Sequence, residues 1–289
     1  MISVIIPTLN AENEIGGLIE KLNSQTCKPD QILVVDSQST DATVEICNRY
    51  NNVTILPILR KDFDHGRTRD MAIRSCESEI VVLMTQDAVP LGNDFIEKLT
   101  APLDDPEVAA ATGRQLPRKD AARMEKLIRQ FNYPAESHVR SAADLEKMGI
   151  KTYFFSDVCS AYRRSTYLEL GGFEYPLKTN EDMFFAAKAI SAGYKIAYVA
   201  DAAVTHSHNL SLKEQYWRNY IQGVEIQRHK DLLGPVSLES EGMKLVKYVS
   251  INLLKRGHIF SFIHFGFDCC AKLLGSRMGR KAAVNNGQD

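Results

Sequence analysis

The sequence lacks the common signatures of several cofactor and metal sites. Its six cysteines include no Cys-x-x-Cys pair, so a zinc cluster or a redox dithiol is not indicated. There is no Gly-x-Gly-x-x-Gly motif of dinucleotide-binding folds and no Gly-x-x-x-x-Gly-Lys-Ser/Thr phosphate loop. A formal net charge of −1 over 289 residues also argues against a general nucleic-acid binder, which needs a basic surface.

Long apolar runs are missing as well. No uninterrupted run approaches the roughly 20 residues of a membrane-spanning helix. The first ten residues, MISVIIPTLN, carry no basic residue, and Pro7 ends their apolar run, so they predict a strand and not a signal peptide. A hydrophobic content of 44% is ordinary for a soluble globular protein. We therefore expect a cytoplasmic protein.

Apolar strands alternate with amphipathic helices in the first third of the chain. Continuous Val/Ile/Leu strands separated by helices are typical of a parallel sheet covered on both faces. The predicted strands are Ile2–Ile6, Gln31–Val35, Val53–Pro57, Ile80–Met84 and Lys195–Val199. The predicted helices are Glu12–Ser24, Thr40–Tyr50, Thr68–Cys76, Asn93–Leu103 and Asn180–Ala192, with further helix after His208. The expected fold class is α/β, a Rossmann-like and mostly parallel sheet flanked by helices.

Polar residues follow three of these strands directly. In VVLMTQDAVP a buried strand ends and Asp87 comes within three residues of its last apolar position. Asp36 follows the second strand, and Thr8, Asn10 and Glu12 follow the first. The carboxyl ends of parallel strands meet at one edge of the sheet, where such folds bind ligands. A carboxylate there can accept from a pyrimidine N–H or hold a divalent cation that bridges to a diphosphate. The alternative for each aspartate is a plain turn residue.

Four segments together resemble the family 2 glycosyltransferases, which have the GT-A fold. They are SVIIPTLNAENEI, VVDSQSTDAT, LMTQDA and GGFEYPLKTNEDMFFAAKA, in the order in which the family has them, and the resemblance covers roughly residues 1–225. It implies an inverting, metal-dependent transfer of a sugar from a nucleotide diphosphate donor. The residues expected to bind the nucleotide sugar are Pro7, Thr8, Asn10, Glu12, Asp36, Ser37, Arg67, Arg69, Thr85 and Gln86.

The resemblance also implies a metal site and a catalytic base. Asp87, the last Asp of the family's D-x-D motif, is expected to bind Mg²⁺ or Mn²⁺ with His206 as a second ligand, although a structural role for His206 is the alternative. Asp182 is the expected base, with Glu181 holding the acceptor or tuning Asp182; the alternative is that both are first-turn acids favoured by the helix dipole.

The sequence departs from the family pattern at two motifs. Thr85 stands where D-x-D has its first aspartate, which leaves the metal more dependent on Asp87. FDHGRTRD resembles the His-Gly-x-Thr-Arg-Asn stretch of rhamnosyltransferase-like members, with Asp70 in place of the Asn. The donor predicted from that stretch is dTDP-rhamnose, and the predicted acceptor is a glycan or lipid-linked glycan in cell-surface polysaccharide synthesis.

The C-terminal part is distinguished by its charge. Residues 241–281 contain eight Lys/Arg against Glu241 and Asp268, a local charge of +6 in a chain of −1. Basic residues that flank the aromatic run HIFSFIHFGFDCCAKLL predict contact with an anionic membrane surface on the inner face of the cell membrane. The alternative is packing on the catalytic domain or in a homodimer. We accordingly divide the chain into a catalytic domain, 1–225, and a helical extension, 226–289.

Two other classes of protein remain open from the sequence. A nucleotidyltransferase also uses an α/β sheet with metal-bound carboxylates, but it should carry a Gly-rich, basic first loop, which PTLNAENEI is not. A non-catalytic nucleotide-binding scaffold would keep the sheet, but the presence of Asp36, Asp87 and Asp182 argues against it.

Overall fold

The described part of the chain is built around one nine-stranded sheet. The computed structural model describes residues 1–234 and 239–285. Its strands are β1 Ile2–Thr8, β2 Gln31–Asp36, β3 Val53–Pro57, β4 Ile80–Met84, β5 Val89–Pro90, β6 Val108–Leu116, β7 His138–Arg140, β8 Cys159–Arg163 and β9 Lys195–Thr205.

Helices cover both faces of the sheet and extend beyond it at the C-terminal side. They are α1 Ile15–Asn23, α2 Thr43–Cys47, α3 His65–Ser75, α4 Phe95–Thr100, α5 Arg123–Asn132, α6 Leu145–Met148, α7 Arg164–Glu169, α8 Glu181–Ser191, α9 Leu212–Arg228, α10 Lys230–Leu233, α11 Glu239–Lys255 and α12 Ile259–Asn285. 3₁₀ turns are interspersed at Arg60–Asp62, Ala101–Asp104, Ala142–Asp144 and Gly149–Tyr153.

The strand order creates a crevice beside the first strand. The order is β3-β2-β1-β4-β8-β6-β9-β5, with β7 paired to β9. Strands β1 to β4 run parallel, whereas β8 is antiparallel to both β4 and β6. The chain winds outward from β1 to β3 and then returns to the other side of β1, so the carboxyl ends of β1, β2 and β4 flank a topological switch point.

The alternation of side chains along each strand divides the core into two layers. Val4 and Ile6 of β1 pack with α1 and α4, and Ile5 faces the opposite layer with α3 and α8. All three of these β1 side chains are fully buried. Burial on both faces explains the continuous apolar strands, and the predicted α/β class is confirmed.

Most predicted elements differ from the observed ones by a few residues at their ends, and three of these differences have an identifiable cause or consequence. Helix α2 is limited to Thr43–Cys47, because the side chain of Asp41 accepts from the Thr43 N–H (3.1 Å) and fixes a turn before it. Helix α3 begins at His65, where the Asp64 side chain caps the N–H of Arg67 (2.9 Å). Strand β9 continues to Thr205, which brings the residues after it to the same edge as Asp87.

Helix α12 packs closely along α9. A Cβ atom on Gly275 would lie 2.3 Å from the Tyr216 carbonyl oxygen, and one on Gly279 would lie 2.0 Å from that of Tyr220. These glycines allow two helix backbones to come closer than larger side chains would permit. The division into 1–225 and 226–289 stays a prediction. Its boundary falls inside α9.

Helix α12 is also long and apolar enough to cross a membrane by length and composition. This holds for Ile259–Val284 and for no other helix in residues 1–234 and 239–285, and only 17% of its apolar window is buried. The sequence predicted no such segment because Asp268 and Lys272 interrupt its apolar residues. In the structure Lys272 and Asp268 form an ion pair (2.7 Å), and the Asp268 side chain is fully buried. The two charges therefore compensate each other within the apolar helix.

Candidate active site

Two adjoining cavities open at the carboxyl ends of β1, β2 and β4. The small cavity, about 330 Å³, is lined by Pro7, Thr8, Leu9, Ser37, Arg60, Phe63, His65, Arg69, Thr85 and Gln86. The large cavity, about 620 Å³, also contacts His65, Arg69 and Thr85, and beyond them it is lined by residues that include Asp87, Asp157, Glu181, Asp182, His206, His208 and Arg218. Three shared residues therefore form the boundary between a small, mostly uncharged cavity and a large, charged one.

Two of the predicted nucleotide-binding residues join the loops that frame the small cavity. The Asn10 side chain accepts from the Thr40 N–H (2.9 Å), and that of Glu12 accepts from the Ala42 N–H (3.0 Å). Asn10 has φ of 50°, a left-handed conformation that Asn tolerates better than most residues. Neither residue lines either cavity, so their contacts fix the loop after β1 to the loop after β2.

Asp36 lies beneath the small cavity. It is buried, and its carboxylate accepts from the Ser39 N–H (3.0 Å), the Ser39 hydroxyl (2.5 Å) and the Thr8 hydroxyl (3.4 Å). Its neighbour Ser37 lines the cavity in its place. These contacts fix the loop that places Ser37 in the wall of the small cavity.

Two buried hydroxyls at the cavities have no hydrogen-bond partner. They are the Ser37 Oγ, in the small cavity, and the Thr85 Oγ1, at the boundary of both. Buried polar groups are nearly always paired, so two unpaired hydroxyls on residues that line a cavity are consistent with polar groups of a bound ligand. Gln86 is different, because its side-chain amide both donates to the Leu9 carbonyl (3.3 Å) and accepts from the Leu9 N–H (2.9 Å).

Besides Leu9 and His65, two residues of the small cavity that were not predicted from the sequence are Arg60 and Phe63. Both follow β3, which is parallel to β2 and ends at the same edge of the sheet. The signal that identifies them is the same one that marks β1, β2 and β4, namely polar or aromatic residues directly after a strand of the parallel sheet. Arg67, a predicted ligand of the nucleotide sugar, is exposed and lines neither cavity.

A carboxylate and two imidazoles converge in the large cavity. The Asp87 Oδ2 lies 3.5 Å from the His206 Nε2 and 3.6 Å from the His208 Nε2, and one ligand atom from each residue lies within 4.8 Å of the others. The Arg118 Nη2 also approaches the Asp87 Oδ2, at 3.4 Å. One oxygen and two imidazole nitrogens suit a divalent transition metal such as Mn²⁺. His208, which was not among the predicted ligands, belongs to this group.

The hydrogen bonds of His206 prepare it to be a ligand. Its Nδ1 lies 3.0 Å from the Gln115 Oε1, an oxygen that also accepts from Arg129. The Nδ1 must therefore carry the proton, which leaves the Nε2 lone pair directed at Asp87. Burial lowers the pKa of His206, so the ring stays neutral, as metal binding requires.

Asp182 lies at the start of α8, on the other side of the large cavity. Its carboxylate accepts from the Asp157 N–H (3.2 Å) and the Met183 N–H (2.7 Å). Burial and the neighbouring carboxylates of Glu181 and Asp157 raise the pKa of Asp182 well above that of an ordinary aspartate. A carboxylate with a raised pKa is a stronger base, so this environment suits proton abstraction at neutral pH.

Arg69 holds the acids around Asp182 together. Its Nη1 donates to the Glu181 Oε1 at 2.8 Å, and its Nε lies 3.9 Å from the Asp157 Oδ2. Both the Arg69 and Glu181 side chains are buried, so each neutralises a charge that would otherwise be costly there. The Arg69 Nη1 is therefore occupied by Glu181, while the Arg69 side chain still lines both cavities.

Solved structures of nucleotide-sugar enzymes share this fold. A mannosyltransferase from Pyrobaculum calidifontis, solved with GDP-Man and Mn²⁺, superposes with a TM-score of 0.67 at 17% identity, covering 96% of this chain and 86% of that one. The S. aureus TarS 1–349 structure with UDP-GlcNAc gives 0.59 at 19% identity, covering 99% and 92%. At these identities the likeness concerns the fold, and it confirms the expected GT-A architecture.

Sequence comparison identifies the family. The chain is 40% identical over 286 residues to the O-antigen chain rhamnosyltransferase RfbN of Salmonella typhimurium, covering 96% of this chain and 89% of the relative. It is 39% identical to the O-antigen chain rhamnosyltransferase WbaN of Salmonella anatum, with the same coverage. Residues 3–171 match the profile described as Glycosyl transferase family 2. The chain therefore belongs to glycosyl transferase family 2 and is a glycosyltransferase.

Proposed function

We propose that this enzyme transfers L-rhamnose from dTDP-rhamnose to a growing glycan of the O-antigen type, with inversion at the sugar carbon. The observation that carries the proposal is the junction of the two cavities, where unpaired hydroxyls meet a candidate metal site and a base. The rhamnosyltransferase relatives and the HGRTR stretch of α3 support the choice of sugar.

The small cavity suits the nucleoside of the donor. Phe63 offers an aromatic surface for a base, and Ser37 and Thr85 offer hydroxyls for the base, ribose or phosphate. Arg60 adds a positive charge on the same cavity. The diphosphate would then extend past Thr85 into the large cavity, towards Asp87.

The residues around Asp87 fit a divalent cation. Asp87, His206 and His208 would hold Mn²⁺ or Mg²⁺, which when bound offsets the negative charge of the leaving diphosphate. Mn²⁺ suits the two imidazoles better than Mg²⁺, which prefers oxygen ligands. Arg118, beside Asp87, is a further positive charge directed at this region.

Asp182 provides the base. An acceptor hydroxyl in the large cavity loses its proton to the Asp182 carboxylate as its oxygen attacks the sugar carbon, and the bond to the diphosphate breaks on the opposite side. A single displacement of this kind inverts the anomeric centre. Glu181 and Arg69 hold the helix start that carries Asp182, so their role is to position the base.

A panel of nucleotide sugars tests the donor. We expect dTDP-rhamnose with Mn²⁺ to raise the melting temperature more than UDP-, GDP- or other dTDP-sugars, because binding to the native state stabilises it by mass action. Transfer to a synthetic O-antigen fragment, with NMR of the product's anomeric proton and carbon, then reads the sugar and the stereochemistry. A different preferred donor or a retained configuration would contradict the proposal.

The C-terminal helices support attachment to a membrane surface, which a lipid-linked acceptor would require. Helix α12 exposes an apolar stripe made of Phe260, Ile263, Phe267, Leu274 and Met278. Their spacing of three, four, seven and four residues keeps them on one helical face. Replacing Phe260 and Phe267 by Ser should release the protein from vesicles of anionic phospholipid. If the wild type instead sediments as a dimer without binding vesicles, the stripe is a subunit contact.

A further inference from the structure

A cluster of basic side chains lies away from the active site, where α5 meets the turn between α11 and α12. The basic pocket, as we name it, is a cavity of about 200 Å³ lined by Arg123, Lys126, Leu127, Gln130, Leu253, Arg256 and His258. Arg123, Lys126 and Arg256 are exposed, and Leu127 and Leu253 are buried below them. The pocket thus has an apolar floor and a basic rim.

Within the part of the chain that the structure describes, no carboxylate compensates the charges of the basic pocket. Among residues 1–234 and the described side chains of 241–284, no carboxylate lies within 4.0 Å of a side-chain nitrogen of its four basic residues. Glu125, on the same helix as Arg123, is paired with Arg129 (2.7 Å). Lys126 donates to the Lys119 carbonyl (2.8 Å), a neutral partner. The pocket is therefore available to an anion from outside.

The start of α12 adds to this positive charge. The helix begins at Ile259, immediately after His258, and its first backbone bond runs from the Phe262 N–H to the His258 carbonyl (2.9 Å). The N–H groups of the first turn have no partner within the helix, and the dipole of a 27-residue helix favours an anion at this end.

The apolar stripe begins at the same place. Phe260, its first member, is 90% exposed and stands two residues after His258. A positive pocket beside an exposed aromatic side chain is complementary to a molecule that joins an anionic head to an apolar body. Phosphate is the favoured head, because its three terminal oxygens can accept from several of the arginine and lysine donors at once, whereas a carboxylate has only two oxygens.

We propose that the basic pocket binds the phosphate headgroup of an anionic membrane phospholipid while the apolar stripe lies in the acyl boundary. This inference rests on the proposed attachment to a membrane and adds to it a specific site and a specific chemical group. It also fixes which end of α12 contacts the lipid headgroup, because the proposed site lies at the N-terminal end of that helix. Arg277 and Lys281 lie roughly 27 Å or more along the helix from that end.

The test compares two vesicle types of equal surface charge, measured as equal zeta potential. One type is phosphatidylcholine with phosphatidate, and the other is phosphatidylcholine with oleate, whose charge is a carboxylate. We expect the wild-type full chain to bind the phosphatidate vesicles about tenfold more tightly, because a phosphate monoester offers three acceptor oxygens to the donors of the pocket and a carboxylate only two. Sedimentation at several lipid concentrations gives the two affinities.

Two variants that each remove three positive charges separate the pocket from general electrostatic attraction. Arg123→Gln/Lys126→Gln/Arg256→Gln removes the rim of the pocket and should bind both vesicle types equally. Lys247→Gln/Arg277→Gln/Lys281→Gln takes exposed charges from the same C-terminal segment and should bind both types more weakly while it keeps the phosphatidate preference. Both variants should keep transfer to a soluble acceptor, since their positions line neither active-site cavity.

The vesicle experiments distinguish failure of the headgroup site from failure of membrane attachment. A wild type that binds vesicles without preferring phosphatidate, or a pocket variant that keeps the preference, overturns the headgroup site and leaves membrane attachment intact. A wild type that stays in the supernatant with every vesicle overturns both. In that case, stabilisation of the wild type but not the pocket variant by inorganic phosphate would reassign the pocket to a free anion.

Discussion

The two cavities of the candidate active site differ in the kind of polar side chain that lines them. The small cavity presents hydroxyls, such as those of Ser37 and Thr85, whose charge does not change during the reaction. The large cavity holds acids, imidazoles and arginines that pair with one another, as Arg69 and Glu181 do. Recognition of the nucleoside needs fixed hydrogen bonds, whereas transfer needs groups that accept a proton or oppose a developing charge. Substitutions in the two cavities should therefore separate affinity from turnover.

The largest effect is expected from Asp182→Asn. The amide cannot accept the acceptor's proton, so turnover should fall by roughly 10²–10⁴-fold, while donor affinity measured by calorimetry stays near that of the wild type. Exposed Asp201→Asn is a matched control. If the Asp182→Asn variant loses donor binding but keeps normal turnover at saturation, Asp182 belongs to the nucleotide site.

Asp87→Asn should have the next largest effect. A neutral amide is a poorer ligand for a hard cation, so both turnover and donor affinity should decline by at least about tenfold, and more Mn²⁺ should be needed for half-maximal rate. His208→Ala should shift the Mn²⁺ requirement in the same direction if it is a ligand. An unchanged Mn²⁺ requirement in both variants would mean that Asp87 and His208 do not bind the metal.

Ser37→Ala and Thr85→Val should act on affinity alone. Each hydrogen bond to a neutral partner contributes about 0.5–1.5 kcal/mol, so the KM for the donor should rise roughly two- to tenfold with kcat nearly unchanged. Ser24→Ala, at the end of α1 and outside both cavities, provides the control. A fall in kcat in the Ser37→Ala variant would contradict the assignment of the small cavity to donor affinity alone.

The smallest effect concerns stability. Because the pKa of Asp182 is raised in the folded protein, the group's contribution to stability is fully present below its unfolded pKa, near 3.8, and is lost as pH rises through the folded value. The inactive Asp182→Asn variant should therefore melt a few degrees above the wild type at neutral pH, and the gap should close towards pH about 4. A gap that does not change with pH would mean that packing, and not ionisation, is responsible.

The sequence predicted the sheet and most strand-end residues, because buried parallel strands and their polar ends are local patterns. It did not predict what those residues contact. Asp36 and Asp87 look alike in the sequence, yet Asp36 is enclosed by Ser39 and Thr8, whereas Asp87 faces two imidazoles from beyond β9. Arg69 could be placed on a helix, but its pairing with Glu181 joins positions 112 residues apart. Such contacts depend on tertiary packing and have no local signal.

The close approach of α9 and α12 limits how this enzyme can be shortened. Helix α9 carries Arg218, Ile221 and Gln222 on the wall of the large cavity, and its opposite side is fitted to Gly275 and Gly279 of α12. Deleting α12 to obtain a more soluble enzyme would uncover the backbone of a helix that shapes the active site. The safer route to solubility keeps every residue of the chain and makes only the outward stripe polar. The catalytic core and α12 are in this sense one indivisible unit for protein engineering.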